Sequence, residues 1–318
     1  MRDATTSEVV PLVTVVVAAY NAANTITETV GSVTAQTRGE WELVIVDDGS
    51  TDATYEKVAS AASPDPRIRV LRQANAGTAR ARNAGACLAT GEFLVFLDAD
   101  DLLLPDYMEN QLAFATEHPG YDVYACNACL LLPDGRRRTF WNDARHARVF
   151  SLDARDQIHE SSILLMSMIT RRTFELAGGF RTLHSEDYDF WLRALLSGAR
   201  HIYNPAVLAV YRRHRGQRTR SLMAEAESFL WILRDNAERP DLDDAANSAF
   251  AEAIVVAEMR LNRRGLEEAL LEGRFEGARR TYWRCRAAFP NRAQYWLGYT
   301  IMLLSPRLYA AIKSARMI

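Results

Sequence analysis

The 318-residue chain has few cysteines, no long apolar run and a net charge of only −2. Its four cysteines are too few and too scattered for a disulfide framework, which predicts reduced thiols. Cys126 and Cys129 form a C-x-x-C pair, but no second pair or nearby histidine completes a zinc site, and the surrounding run is typical of a strand. The 48% hydrophobic content is that of a soluble globular protein with a sizeable core.

Signals for membranes and for common nucleotide folds are also missing. No uncharged stretch is long and apolar enough to span a bilayer. Residues 9–19 are apolar like a secretory signal, but Asp3 and Glu8 exclude a basic leader, so we interpret this segment as a first strand. We therefore expect a cytoplasmic protein. Neither G-x-G-x-x-G nor a P-loop occurs, so a dehydrogenase or an NTPase lacks its main support.

Four apolar, β-branched runs recur at similar spacing along the first 100 residues, which predicts strands. They are VTVVVAAY, WELVIVDD, RIRVLRQ and EFLVFLDAD, beginning at Val13, Trp41, Arg67 and Glu92. Segments with helical patterns separate them, at about 25–36, 51–62 and 78–90. This alternation predicts an α/β fold with a mostly parallel, Rossmann-like sheet flanked by helices.

Polar side chains stand where each predicted strand ends, and ligands of open α/β sheets bind at that edge. The fourth ending carries three carboxylates within four positions, Asp98, Asp100 and Asp101. Three like charges repel one another and are costly to bury, so this ending favours a bound cation. A hard divalent ion such as Mg²⁺ or Mn²⁺ prefers such oxygen ligands. An acidic turn that caps the helix after Pro105 is the alternative.

The pattern changes after Pro105. A helix over 107–117, a strand over 121–132, the turn Pro133–Gly135 and a second strand predict an antiparallel extension of the sheet. From residue 216 onward the chain is helix-like. We predict a catalytic domain at 1–215 and a helical C-terminal region at 216–318. Residues 260–318 carry 12 Lys and Arg against four Glu, so the two regions differ in charge.

Five ordered motifs resemble the nucleotide-sugar glycosyltransferases of family two, whose fold is called GT-A. They are VVVAAYNAANTITETVGSVTAQT, VIVDDGSTDAT, NAGTARARNAG, FLDADD and GGF…EDYDFWLRA, and together they cover about residues 11–215. The resemblance implies an inverting transfer of a sugar from a nucleotide-diphosphate sugar to a hydroxyl group, assisted by Mn²⁺ or Mg²⁺. It does not extend with the same specificity over the last third of the chain.

The resemblance assigns one set of residues to the donor. These are Ala18, Tyr20, Asp48, Arg82 and Asp98. A carboxylate at Asp48 can accept the N3–H of uracil or thymine, a donor that cytosine lacks, so we expect UDP or dTDP. The alternative is that Ser50 or Thr51 caps the next helix and that Asp47 and Asp48 are merely solvated. For Arg82 the alternative is a solvated helix face with Asn83 hydrogen-bonded locally, and for Arg80 on the same helix this alternative is the preferred interpretation.

The resemblance also implies the residues that bind the metal and perform the chemistry. Asp98-Ala99-Asp100 is similar to the D-x-D motif, and Asp100, Asp101 and His214 are the expected metal ligands; which of the two aspartates is the main ligand stays open. Asp187 is the expected general base, with Glu186 as its helper or an acceptor contact. The alternative is a structural role for Glu186 and Asp187, because the helix dipole favours negative charge at the start of a helix.

The remaining expectations concern partners. We expect a carbohydrate or lipid-linked acceptor and no nucleic acid. His159 and Ser161 line either the acceptor side or the start of a buried strand. The basic, aromatic segment 274–318 suits an anionic membrane surface at its cytoplasmic face, an ordinary helical bundle or a homodimer contact. A non-catalytic, glycosyltransferase-like scaffold protein is the competing function. A sugar nucleotidyltransferase is disfavoured because the residues after the first strand are not a glycine-rich, arginine-containing loop.

Overall fold

The computed structural model describes residues 12–159, 163–214 and 222–271, together with the single positions 276, 300, 301 and 305. Ser161, residues 215–221 and nearly all of the basic segment 274–318 lie outside the described residues. The interpretations of Ser161 and of the basic segment therefore stay predictions. In the described parts of the chain, no helix is both long and apolar enough to cross a membrane.

The described residues form a mixed sheet with helices on its faces. The strands are β1 (Val13–Ala19), β2 (Trp41–Asp47), β3 (Ile68–Arg72), β4 (Phe93–Asp98), β5 (Leu102–Leu103), β6 (Val123–Leu131), β7 (Arg137–Thr139), β8 (Met168–Thr170) and β9 (His201–Arg212). The helices are α1 (Ile26–Thr34), α2 (Thr54–Ala62), α3 (Thr78–Leu88), α4 (Tyr107–Glu117), α5 (Ala154–His159), α6 (Arg171–Ala177), α7 (Glu186–Leu196), α8 (Leu222–Ala237) and α9 (Asp244–Leu271).

The first half of the sheet is parallel, which confirms the alternation predicted from the sequence. β1 lies between β2 and β4, so that Val13 pairs with both Trp41 and Phe93, and β3 pairs with the far side of β2. Every residue of β2 is buried, as expected for a strand covered on both faces. The carboxyl ends of β1, β2 and β4 therefore meet at one edge.

The second half of the sheet contains the antiparallel extension, and the strand order is β3-β2-β1-β4-β8-β6-β9-β5 with β7 paired to β6. β8 is antiparallel to both β4 and β6, and β9 is parallel to β6. The Pro133–Gly135 turn joins β6 to β7 as predicted, with Gly135 at φ 82°. β9 consequently ends at the same edge as β4, because both run in one direction.

Close packing of helices fixes this edge of the sheet. A Cβ added to Gly85 on α3 would lie 2.4 Å from Cγ1 of Val16, so only glycine lets α3 approach β1 this closely. On the same face, Phe190 of α7 stacks on Phe180 with ring centroids 4.4 Å apart. These contacts hold the starts of α3 and α7 at the carboxyl ends of the strands.

The internal contacts divide the chain into two compact units, 1–217 and 218–318. In the second unit, α8 and α9 bury Ile232, Leu233 and Phe250. Arg234 of α8 forms a 2.6 Å ion pair with Glu258 of α9. The functional assignment of the region from 216 onward stays a prediction.

Candidate active site

The three carboxylates after β4 form one cluster. Oxygen atoms of Asp98, Asp100 and Asp101 all lie within 4.8 Å of one another. Burial, and then the charge of Asp98, raises the pKa of Asp100 above its ordinary value. Burial raises the pKa of Asp101 still further, and its two neighbours add to the effect. The cluster therefore has an excess of negative charge that a cation would relieve.

The end of β9 completes this cluster. The backbone N–H of Arg212 donates to Oδ1 of Asp101 at 2.9 Å, and Nε2 of His214 lies 2.6 Å from Oδ2 of Asp100. Asp101 is 2% exposed, whereas Asp100 is half-buried and His214 is exposed. The sequence-predicted metal ligands are thus brought together, although 113 positions separate His214 from Asp101 in the numbering.

Arg82 joins this cluster to the start of α7. Its guanidinium donates to Oδ1 of Asp98 at 2.6 Å and to Oε1 of Glu186 at 2.9 Å. The arginine is 4% exposed. Burial alone would lower its pKa, but the charges of Asp98 and Glu186 raise the pKa of Arg82 overall. The predicted donor arginine is therefore held by two carboxylates, and its role toward a nucleotide stays a prediction.

Asp187 is the second residue of α7, after Glu186, and is exposed. Desolvation and then the charge of Glu186 raise the pKa of its carboxyl. The N–H of Tyr188 donates to its Oδ1 at 2.8 Å. An accessible carboxylate with a raised pKa is suited to accept a proton from a bound hydroxyl group.

The side chain of Asn83 is hydrogen-bonded to the loop before α7, a role that was not predicted from the sequence. Its side-chain amide donates to the carbonyl of Phe180 and accepts from the N–H of Phe180, both at 2.8 Å. The interpretation of Asn83 as locally bonded was wrong, because its partner lies 97 positions away. A Cβ at Gly179 would approach Oδ1 of Asn83 to 2.8 Å, which explains the glycine.

The predicted nucleotide residues lie at the ends of β1 and β2. Ala18 pairs with Asp98 across β1 and β4. Tyr20 follows with 51% of its side chain exposed, and is not part of the core. Neighbouring strands lie about 5 Å apart, so the end of β2 stands roughly 10 Å from the end of β4. That separation lets one extended ligand contact both endings.

The carboxylate of Asp48 is buried and holds the loop after β3. It accepts from Nε2 of Gln73 at 2.7 Å, from the N–H of Ala76 at 2.9 Å and from the N–H of Gly77 at 2.8 Å. An ionised carboxylate has about four acceptor positions, so one is left for a ligand. The alternative of a merely solvated carboxylate is wrong for Asp48, which is 3% exposed.

Three other interpretations have clear outcomes. Cys126 lies in β6, and burial raises the pKa of its thiol to about 12, which confirms the strand interpretation of the C-x-x-C pair. His159 ends α5 with an exposed side chain, so its placement at the start of a buried strand was wrong. Arg80 is exposed on α3, as predicted.

Comparison with known proteins decides the family. The model of glycosyl transferase family 2 matches residues 14–167, and that of glycosyl transferase family group 2 matches residues 93–251. The succinoglycan biosynthesis protein ExoO of Rhizobium meliloti (strain 1021) is 32% identical over 284 residues, which are 82% of this chain and 80% of ExoO. The chain belongs to glycosyltransferase family 2. The predicted resemblance is thereby confirmed.

Solved structures confirm the predicted fold of this glycosyltransferase. The S. aureus TarS 1-349 structure in complex with UDP-GlcNAc superposes with a TM-score of 0.68 at 21% identity, covering 94% of this chain and 89% of TarS. The mannosyltransferase PcManGT from Pyrobaculum calidifontis, in complex with GDP-Man and Mn²⁺, gives a TM-score of 0.62 at 20% identity, covering 95% and 86%. Both similarities establish the GT-A-type architecture.

Proposed function

We propose that this glycosyltransferase moves a sugar from a UDP- or dTDP-sugar to a hydroxyl group of a carbohydrate or lipid-linked acceptor, with inversion, in polysaccharide biosynthesis. The observation that carries the proposal is the arrangement around Arg82. One buried guanidinium contacts Asp98 of the acidic cluster and Glu186, the neighbour of the proposed base. This contact supports a mechanism in which donor and acceptor react side by side. The succinoglycan role of ExoO supports the pathway class.

The donor would lie along the ends of β1, β2 and β4. Asp48 has one acceptor position left for the N3–H of uracil or thymine, and Gln73, Ala76 and Gly77 hold its carboxylate rigid. Tyr20 is exposed beside this position and offers its ring to the base. The UDP-GlcNAc bound to TarS supports a nucleotide-sugar donor. PcManGT binds GDP-Man instead, so the choice of a uracil or thymine base in this chain needs its own test.

The residues of the acidic cluster fit a divalent cation. Their carboxylates are crowded together, and burial and the neighbouring carboxylates raise the pKa values of Asp100 and Asp101, as expected for oxygen ligands with an excess of negative charge. We propose Asp100 and His214 as the accessible ligands, with buried Asp101 adding charge. When bound, the ion would neutralise the diphosphate as it leaves. The Mn²⁺ in PcManGT supports this assignment.

Asp187 would accept the proton of the attacking hydroxyl group. Its exposed carboxylate can reach a ligand, and its raised pKa makes it a better proton acceptor than an ordinary aspartate. Glu186 is turned toward Arg82 and positions the start of α7. Attack from the face opposite the departing diphosphate, in a single displacement, inverts the anomeric configuration.

The proposal is tested by slow hydrolysis of a panel of nucleotide-sugars in Mn²⁺, which needs no acceptor. We expect turnover with a UDP- or dTDP-sugar that stops on chelation and in Asp100→Ala, whereas Asp187→Asn reduces transfer to an added acceptor. Glu175→Gln replaces an exposed carboxylate of α6 and serves as the matched control. Absence of turnover with every donor, despite nucleotide binding, would instead support the scaffold function.

The function proposed for the C-terminal region is binding, with three candidate partners. We propose that residues 216–318 contact the acceptor, a membrane surface or a second copy of the chain. The basic composition of residues 260–318 supports an anionic partner. Deleting residues 272–318 and measuring donor hydrolysis against acceptor transfer tests this proposal, because only the second activity should fall.

A further inference from the structure

Polar side chains on one face of α1 contact the segment that carries the acidic cluster. The hydroxyl groups of Thr25 and Thr29 both donate to the carbonyl of Ala99, at 2.8 and 2.9 Å. Thr25 directly precedes α1, and Thr29 is fully buried one turn further along the helix. Ala99 lies between Asp98 and Asp100, so two side chains at the start of α1 hold the peptide at the centre of the cluster.

The same face of the helix continues along this segment. Oγ of Ser32 accepts from the N–H of Leu103 at 3.2 Å. Just after the helix, the side-chain amide of Gln36 donates to the carbonyl of Leu104 at 2.7 Å and accepts from the N–H of Met108 at 3.0 Å. Counted with the two threonines, these polar positions recur every three or four residues, so they share one side of the helix. The backbone is therefore held from the acidic cluster to the start of α4.

Holding the carbonyl of Ala99 constrains the backbone of Asp100. The peptide group is planar, so fixing this carbonyl also fixes the backbone nitrogen of Asp100. The N–H of Asp101 donates to the carbonyl of Asp98 at 3.0 Å and closes a tight turn around the same residue. The direction in which the side chain of Asp100 leaves the backbone therefore depends on contacts made by α1.

A charged side chain of α1 contacts the other half of the candidate metal site. Glu28 forms an ion pair with the guanidinium of Arg212 at the end of β9. The backbone N–H of Arg212 donates to Asp101. His214 follows two positions later, and its Nε2 lies 2.6 Å from Oδ2 of Asp100. One helix therefore contacts both of the strand endings that the proposed cation would join.

We propose that Thr25, Thr29 and Glu28 are positioning residues for the cation site, acting through Asp100 and His214 rather than by contact with the ion. The inference rests on the proposed function, because it requires these two ligands to bind a divalent cation. The threonines orient Asp100, and the glutamate holds the end of β9 that leads to His214. Ligands that are already oriented lose less freedom on binding, so weakening these contacts should lower the metal affinity.

A purely structural role is the competing explanation. Thr29 is buried, and a buried hydroxyl group needs a partner wherever it lies. That explanation gives no reason for two hydroxyl groups on the same carbonyl, nor for a contact between the exposed Glu28 and β9. The two explanations also differ in their consequences. A structural role predicts lower stability alone, whereas a positioning role predicts weaker metal binding in a protein that is still folded.

The experiment measures the Kd for Mn²⁺ by electron paramagnetic resonance, with the full chain and saturating UDP. We expect Thr25→Val/Thr29→Val to raise this Kd about tenfold, because valine keeps the shape of threonine but cannot donate. Thr25→Ser/Thr29→Ser keeps the hydroxyl groups and should restore most of the affinity. Thr173→Val is the matched control, since Thr173 is equally buried and donates to the carbonyl of Asp122 at 3.2 Å. Its Kd should equal that of the wild type.

Glu28 is tested by a double-mutant cycle with His214. Glu28→Gln should raise the Kd about threefold in the wild type and leave it unchanged in His214→Ala, since the glutamate then has no ligand to position. Glu258→Gln removes an ion pair from the second unit and should not change the Kd. Urea unfolding checks that each variant folds, and Thr29→Val alone replaces the double valine variant if that variant does not.

Three outcomes would contradict parts of this account. Equal Kd values in the wild type and the folded valine variant would overturn the role of the threonines and leave the proposed metal site intact. An effect of Glu28→Gln that persists in His214→Ala would overturn the assignment of Glu28. Absence of Mn²⁺ binding in the wild type would contradict the proposed metal site and, with it, this inference.

Discussion

A guanidinium nitrogen of Arg82 lies 2.9 Å from the carboxylate of Glu186, and both side chains are almost fully buried. This contact connects α3, which follows the first parallel strands, to α7, whose second residue is the proposed base, Asp187. Burying two charges is costly, so the pair is stabilising only while both members are present. Its position therefore makes the geometry of the candidate active site depend on one arginine.

Removing the arginine should destabilise the protein strongly. Arg82→Met leaves Glu186 and Asp98 without their counter-charge, and the loss of one partner of a buried pair costs about 3–5 kcal/mol in the free energy of unfolding. Urea unfolding measures the change. Arg80→Met, an exposed position on the same helix, is the matched control and should change the free energy by less than about 0.5 kcal/mol. Equal changes in the free energy of unfolding for Arg82→Met and Arg80→Met would contradict a stabilising role of the buried Arg82–Glu186 pair.

Asp187→Asn should reduce the rate of sugar transfer without preventing donor binding. The asparagine keeps the shape of the side chain but cannot accept a proton, so kcat should fall about 10²- to 10⁴-fold. The KM for the donor should change little, because Asp187 is not assigned to the nucleotide. Steady-state kinetics with Glu175→Gln as control checks both values. A large rise in donor KM at constant kcat would move Asp187 to the donor site.

The pH dependence of transfer should follow the carboxyl of Asp187. Because its pKa is raised, kcat should fall as the pH drops through a range above that of an ordinary aspartate. Glu186→Gln removes the neighbouring charge that raises this pKa, so the acidic limb of the kcat profile should move to lower pH. Movement to higher pH, or none, would mean that another group controls the limb.

Asp100→Asn should stabilise the metal-free protein while weakening metal binding. It removes one of the crowded carboxylates, so the melting temperature in EDTA should rise, on the order of 2 °C at neutral pH. The rise should disappear at acidic pH, since the wild-type carboxyl is then protonated. The additional stabilisation that Mn²⁺ and UDP give the wild type should be lost. Differential scanning fluorimetry with and without metal measures both effects.

Asp48→Asn should lower the affinity for the nucleotide and reduce the selectivity for its base. Asparagine replaces one carboxylate oxygen with an NH2 group, which is a hydrogen-bond donor and cannot accept from the N–H groups of Ala76 and Gly77. The loop after β3 is therefore disturbed. The affinity for UDP should fall at least about tenfold, and the preference for UDP over CDP should shrink. Competition binding with the two nucleotides gives the ratio. An unchanged ratio with weaker binding would leave Asp48 as a loop-holding residue alone.

Local patterns in the sequence were sufficient to predict the sheet and the position of the acidic cluster. Strand periodicity and the polar residues at Asp48 and Asp98 predict the edge, because parallel strands must end there together. The helix from Tyr107 to Glu117 was predicted at its observed bounds, since apolar spacing and Pro105 define it. The crowded carboxylates by themselves favour a divalent cation, whereas the roles of individual donor, metal and base residues came from the family resemblance. All of these roles stay predictions.

Long-range side-chain contacts could not be predicted from the sequence alone. Nothing local pairs Asn83 with Phe180 or Arg82 with Glu186, which are 97 and 104 positions apart. The same holds for Arg212, whose contact with Asp101 depends on how β9 crosses the extension of the sheet. These contacts arise from the packing of α3, α7 and β9 at one edge, which local periodicity does not encode.

The central claim is that the acidic cluster binds one divalent cation together with the nucleotide diphosphate. Electron paramagnetic resonance of Mn²⁺ titrated into the full chain with UDP tests it most directly. We expect one tightly bound Mn²⁺ per chain in the wild type, and free Mn²⁺ under the same conditions in Asp100→Asn. Equal binding in both proteins, or no bound Mn²⁺ in the wild type, would contradict the assignment.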